Sequence, residues 1–327
     1  MYYEPYHKKP KRASRRRRSF GQWLARGLIR LIAMLLVLLL LCAAILYALP
    51  PSFFAVEPED VDLSLTDGLP GGMHNVLLLG MDISQEGMQR SDSIMIASVG
   101  YGRLRLTSLL RDTVVDIPGH GQGKLNAAFA YGGPELAMRT INQNFGLDIM
   151  HYAAVDYVAL VKAVDALGGV EIDITEAELG RLNPSVLEMW RVFAPLGYRA
   201  EELTRYGENT HLNGLQALAY ARIRSLDSDY MRASRQRTVI DAMLKKLRSN
   251  LWNPIVWVRL AMAVISSVDT NMSAAQIVSL GEKAVLAGGL KQLRLPADGS
   301  FTDDGSKLIL NDKRANHDAF VQFAYVD

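Results

Sequence analysis

Cysteine is almost absent from this chain: of 327 residues only Cys42 is one. A single thiol excludes an intramolecular disulfide framework and any zinc or iron–sulfur site built on cysteines. Histidine is scarce too, with six residues that nowhere cluster. Several signature loops are missing. No GxxxxGK[ST] turn is present for a soluble nucleotide, no GxSxG elbow and no HExxH pair, and the surroundings of Gly80 do not complete a GxGxxG dinucleotide turn. Net charge is small, at +2, but that sum conceals a division. Residues 1–30 carry ten Lys/Arg against one acidic residue, while the remainder carries 26 basic against 33 acidic. An acidic body behind a basic tail argues against a globally basic nucleic-acid binder, so no nucleic acid is expected as a partner.

One long apolar run is present. Leu31 to Leu49 holds nineteen residues without a charge. As a helix they span about 28 Å, close to the hydrocarbon thickness of a bilayer. Pro50 and Pro51 stop it. The run exceeds an ordinary signal-peptide core, so it reads as an uncleaved anchor. The basic tail, residues 1–30, places the N-terminus in the cytoplasm and the rest outside the cell, and suits contact with anionic membrane lipid. Cys42 falls inside the run. Residues 50–72 read as an extracellular linker, rich in proline, acidic residues and glycine. Residues 73–327 are then one extracellular domain, long enough for a large core.

Within that domain short apolar runs alternate with helical periodicity. Asn75–Gly80, Ser93–Val99, Arg103–Leu109, Thr113–Ile117, Tyr152–Val155, Val170–Ile174 and Leu290–Leu295 read as strands. Helices are expected from Pro134 to a stop at Gly146, after a cap at Asp156, over 215–223 and 232–247, and within 251–268 and 273–287. Residues 181–212 fit no pattern. The alternation predicts an α/β fold, an α/β/α sandwich whose central mixed sheet is covered by helices.

Two aspartates flank the first strands, Asp82 after Gly80 and Asp92 before the next run. If those strands pair antiparallel, both carboxylates fall at one sheet end, where α/β sheets gather ligands. Hard oxygen donors without softer neighbours suit Mg²⁺; turn capping is the other reading of such a pair. Arg90, Arg111, Arg222, Arg224, Arg232 and Arg235 stand at or near element ends, and Gln236 shares a helix face with Arg232. A guanidinium gives bidentate, charge-assisted bonds to phosphate oxygens, and a helix N-terminus adds free amides. A solvated arginine surface is the plainer alternative.

Seven stretches occur in a particular order: NVLLLGMD (75–82), RSDSIMI (90–96), SLLRDTVVDIPG (108–119), KLNAAFAYGG (124–133), AVDYVALVKAVDALGGVEIDI (154–174), LNGLQALAYARIR (212–224) and RASRQRTVI (232–240). Together they resemble the LytR-CpsA-Psr family of bacterial cell-wall enzymes. The resemblance implies transfer of a glycopolymer from a polyprenyl-pyrophosphate carrier to a peptidoglycan sugar hydroxyl, with release of polyprenyl phosphate. It further implies that Asp82 and Asp92 hold Mg²⁺, that Arg90, Arg111, Arg222, Arg224, Arg232 and Gln236 bind the pyrophosphate, and that Asp82, Asp92 and Arg111 take part in catalysis. Lys124 receives no chemical step. The apolar residues at 157–167 and 251–265 are expected to line either a lipid channel or the core. A hydrolase of the same pyrophosphate and a non-enzymatic cell-wall regulator are the alternatives.

Overall fold

The computed structural model describes residues 61–81, 91–223, 229–265 and 267–326. The basic tail, the apolar run 31–49, Cys42 and the first part of the linker lie outside the described residues. Among the described residues no helix is long and apolar enough to cross a membrane.

The central sheet has six strands in the order β10-β3-β2-β1-β6-β9: β1 (His74–Met81), β2 (Ser91–Gly100), β3 (Arg103–Leu109), β6 (His151–Asp156), β9 (Val268–Thr270) and β10 (Leu290–Leu295). Strand β1 runs antiparallel to β2 and parallel to β6, and β3 runs antiparallel to β2 and parallel to β10, so the sheet is mixed as expected. One face buries Leu77, Leu79, Ile94, Ile96 and Leu109 against helix α1 (Leu125–Phe145), through Met138, Ile141 and Phe145. Phe320 of α8 (Lys313–Val321) completes that core. Each such side chain removed from water stabilises the fold by about 1.5–3 kcal/mol. On the other face Val99 and Leu104 pack with Leu244 of α5 (Asp229–Ser249) and Ala284 of α7 (Ala274–Leu286).

Two expected strands belong elsewhere. Thr113–Ile117 (β4) pairs with β5 (Gly121–Lys124) and β12 (Leu308–Leu310) in a four-stranded sheet completed by β11 (Phe301–Asp303). Val170–Ile174 (β7) pairs only with β8 (Gly207–Leu212). Residues 296–326 thus add strands and α8 to the same body. The helix expected from Pro134 to Gly146 is present, preceded across a kink by a further helical stretch from Leu125. Gly133, with φ 65°, kinks it where a side chain would be strained, and Pro134 opens the second half.

The unassigned stretch 181–212 falls largely within α3 (Glu176–Phe193) and β8. Thr175 and Glu178 form a capping box at the start of α3, and Pro184 sits inside the helix. Val186, Met189 and Phe193 of α3 join a second core with α2 (Tyr157–Ala166), α4 (Gly214–Arg222) and Val239 of α5. The 251–265 stretch is α6 (Pro254–Ile265). Val256 packs inward with Leu167, Leu247 and Val285, while Ile255, Val258 and Met262 face solvent.

Candidate functional site

Strand direction assembles the site. Because β2 returns antiparallel from β1, Ser91 lies opposite Met81, and parallel β6 brings Asp156 beside Met81 in the same row. Strand β3 returns again, placing Leu109 opposite Ile94 and delivering Leu110 and Arg111 to this end of the sheet. The carboxyl ends of β1, β3 and β6 therefore meet the first residues of β2, among them Asp92, where α/β sheets hold their ligands.

Asp92 is the hub. Arg111 Nη1 donates to its Oδ1 at 2.7 Å, with side-chain exposures of only 20% and 16%. The Tyr157 hydroxyl donates to its Oδ2 at 3.3 Å. Tyr157 opens α2, one residue after Asp156, whose carboxylate caps that helix by accepting from the Ala159 amide at 2.7 Å. The Arg222 guanidinium lies over the Tyr157 ring, 4.5 Å from its centroid, a cation–π contact. Arg222 ends α4, and α4 crosses α2 closely because position 214 is glycine. A Cβ there would stand 2.3 Å from the Val161 carbonyl oxygen.

A shallow pocket is lined by Asp92, Ser108, Leu110, Arg111, Arg232 and Gln236, among others. Arg232 is buried, and it shares one face of α5 with Gln236, as the four-residue spacing requires. Two guanidinium groups and one carboxylate thus line a common space. Asp82 and Arg90 fall between residues 81 and 91, and Arg224 between 223 and 229. All three lie outside the described residues.

Arg235 does not join the pocket. It is buried, its Nε donates to Glu178 Oε1 at 2.9 Å, and its Nη1 donates to the Ile223 carbonyl at 3.4 Å. It ties α5 to α3 and to the residue after Arg222. Lys124 also has a structural partner set, bonding Asp112 Oδ1 at 2.8 Å and the Ser306 carbonyl at 2.7 Å. Asp112 in turn faces Arg111 Nε at 3.3 Å, supporting it from behind. Tyr157 and Ser108 are site residues that the sequence pattern hid inside a helical stripe and a strand. The junction of a strand end with a capped helix is the signal that marks Tyr157.

A family model described as the LytR_cpsA_psr family matches residues 56–319. The chain is 31% identical over 264 residues to "Regulatory protein MsrR" of Staphylococcus aureus, spanning 77% of this chain and 74% of that protein. It is 35% identical over 241 residues to "Polyisoprenyl-teichoic acid--peptidoglycan teichoic acid transferase TagU" of Enterococcus faecalis, spanning 71% and 72%. Among solved structures, "TagT bound to LI-WTA" has the same fold, with a TM-score of 0.60 at 22% identity, covering 81% of this chain and 93% of that one.

Proposed function

We propose a phosphotransferase role, proceeding from the fact that the chain belongs to the LytR_cpsA_psr family. In this reading it moves a glycopolymer from a polyprenyl-pyrophosphate carrier to a peptidoglycan sugar hydroxyl and releases polyprenyl phosphate. The observation that carries it is the convergence of Asp92, Arg111, Arg232 and Gln236 on one pocket, with Arg222 joined to Asp92 through Tyr157. The name of the TagU relative and the ligand named with the TagT structure support the same substrate class.

The chemistry follows from charge. Arg111, Arg222 and Arg232 grip the pyrophosphate oxygens and offset the charge that builds on the transferring phosphoryl group. The acceptor hydroxyl oxygen forms a bond to the phosphorus that bears the polymer. The bond from that phosphorus to the bridging oxygen breaks, and polyprenyl phosphate leaves with the electron pair. The hydroxyl proton passes to a site carboxylate, with Asp82, Asp92 and Asp112 as the candidates. Arg90 and Arg224 belong to the same binding set in this reading.

Asp82 and Asp92 would hold Mg²⁺. Among the described residues no group of three or more metal-binding side chains gathers. Mg²⁺ needs no more than one or two carboxylates, with water and phosphate oxygens completing its shell, and Asp92 supplies such an oxygen on the pocket wall. Bound there, the ion would neutralise pyrophosphate charge.

The domain works outside the cell, tethered by residues 31–49 with the N-terminus in the cytoplasm. Protease added to intact protoplasts should remove the domain and spare the tail; loss of the tail alone overturns this topology.

Purified full-length protein in proteoliposomes, given a lipid-linked pyrophosphate glycopolymer and peptidoglycan, should attach polymer to the wall material. Free polymer phosphate instead would identify a hydrolase. The regulatory reading is favoured by the name of the MsrR relative; it requires that no product form and that pocket variants leave its wall phenotype unchanged.

A further inference from the structure

Helix α5 presents another guanidinium beside the pocket, one residue past Gln236, that the mechanism above does not use. Arg237 Nε donates to Gln292 Oε1 at 2.8 Å, and its Nη1 donates to Ser108 Oγ at 2.9 Å. Among the described residues these are its hydrogen-bond partners, and both are neutral. A guanidinium has five N–H donors, so donors remain for a further acceptor. Keeping a half-buried cation among neutral groups is unfavourable unless a counter-charge arrives.

Arg294 reaches the same place. Strand β10 pairs in parallel with β3 so that Arg294 lies opposite Ser108, and Gln292, two residues earlier, shares its face. The Arg294 guanidinium stacks over Tyr230, 4.6 Å from the ring centroid, and pairs with the exposed Asp298. Burial and then the Arg294 charge lower the Arg237 pKa from its ordinary value. Ser108 links this pair to the pocket, since it also lines the pocket with Arg111, Arg232 and Gln236.

We propose that Arg237 and Arg294, with Ser108 between them, form a second subsite for a phosphate-type oxyanion, contiguous with the pocket. Planar guanidinium forks match phosphate oxygens, and a second anion supplies the charge that the neutral partners of Arg237 do not. The source of the anion rests on the transferase reading: it is a phosphate carried by the glycopolymer beyond the carrier pyrophosphate. A phosphate-bearing polymer is therefore bound in preference to an uncharged one.

The test is calorimetric titration of inorganic phosphate into the full chain in detergent micelles. Wild type should show two binding events. Arg237→Gln and Arg294→Gln should each weaken one event by about tenfold or more, the loss of a charge-assisted bond. Arg232→Gln should weaken the other, and Arg314→Gln, 90% exposed on α8, neither. Circular dichroism of each variant establishes that it is folded, and Arg237→Lys should recover part of the lost affinity. Equal phosphate binding by wild type, Arg237→Gln and Arg294→Gln overturns the subsite. Failure of the transferase reading looks different: no polymer is transferred, yet the Arg237-dependent event persists. With two lipid-linked donors, one phosphate-bearing and one uncharged, wild type should favour the first and Arg237→Gln should lose that preference. Equal use of both donors by wild type overturns the polymer as the source and leaves free phosphate as the occupant.

Discussion

The Tyr157 hydroxyl donates to Asp92 Oδ2 at 3.3 Å while its ring lies beneath the Arg222 guanidinium. One side chain therefore sets both the carboxylate and a cation contributed by a separate helix. Tyr157→Phe removes the hydrogen bond and keeps the ring, and should slow transfer by about fivefold, the equivalent of about 1 kcal/mol. Tyr157→Leu removes both contacts and should cost about tenfold more. Single-turnover rates on the two variants, with their melting temperatures, separate positioning from unfolding. Equal rates for Phe and Leu would show that the ring does not hold Arg222.

Asp92 carries more. Asp92→Asn keeps the shape but loses the charge that faces Arg111, and should lower turnover by about 100-fold or more. Asp82→Ala and treatment of wild type with EDTA should abolish activity, and Mg²⁺ should restore only the EDTA-treated protein. Full activity in metal-stripped protein would falsify a role for the ion and return the carboxylates to structural work.

Arg235 should behave unlike its neighbours on α5. Its bridge to Glu178 is buried, with side-chain exposures of 5% and 13%. Arg235→Ala leaves Glu178 buried without that partner and should destabilise the domain by about 3 kcal/mol. Arg181→Ala, on the exposed side of α3, should change stability by less than about 0.5 kcal/mol. Urea unfolding of both variants checks the contrast; similar midpoints would mean that the Glu178 contact contributes little.

His151 supplies a pH dependence. Burial lowers its pKa from 6.5, and the charge of His74 lowers it further. Between the folded value and 6.5 the unfolded chain binds the proton more readily, so stability rises with pH across that window. The contribution is present above 6.5 and is lost as pH falls through the folded value. Melting temperatures taken from about pH 7 down to about pH 5 should therefore fall less steeply for His151→Gln than for wild type. Parallel curves would assign the acid loss to other groups.

Local physics wrote much of this protein into its sequence. Apolar runs such as VLLL in β1 have to be buried on both faces, and Asp156 before a three-to-four periodic stripe caps a helix because its carboxylate satisfies a free amide. The spacing of Arg232 and Gln236 put both on one helix face, and the antiparallel return of β2 put Asp92 at the sheet end where ligands gather. What the sequence left undetermined depends on partners distant along the chain. Periodicity marks Thr113–Ile117 and Val170–Ile174 as strands but does not say which edge each one joins, because pairing is decided between segments far apart. Helix α3 was hidden by Pro184 and by a polar face, and it is held by packing with α4 and by the Arg235–Glu178 bridge. The same limit separates the arginines: Arg232 and Arg235 are three residues apart on one helix, and contacts with Glu178 and the Ile223 carbonyl, set by the tertiary structure, tie Arg235 to the fold while Arg232 lines the pocket.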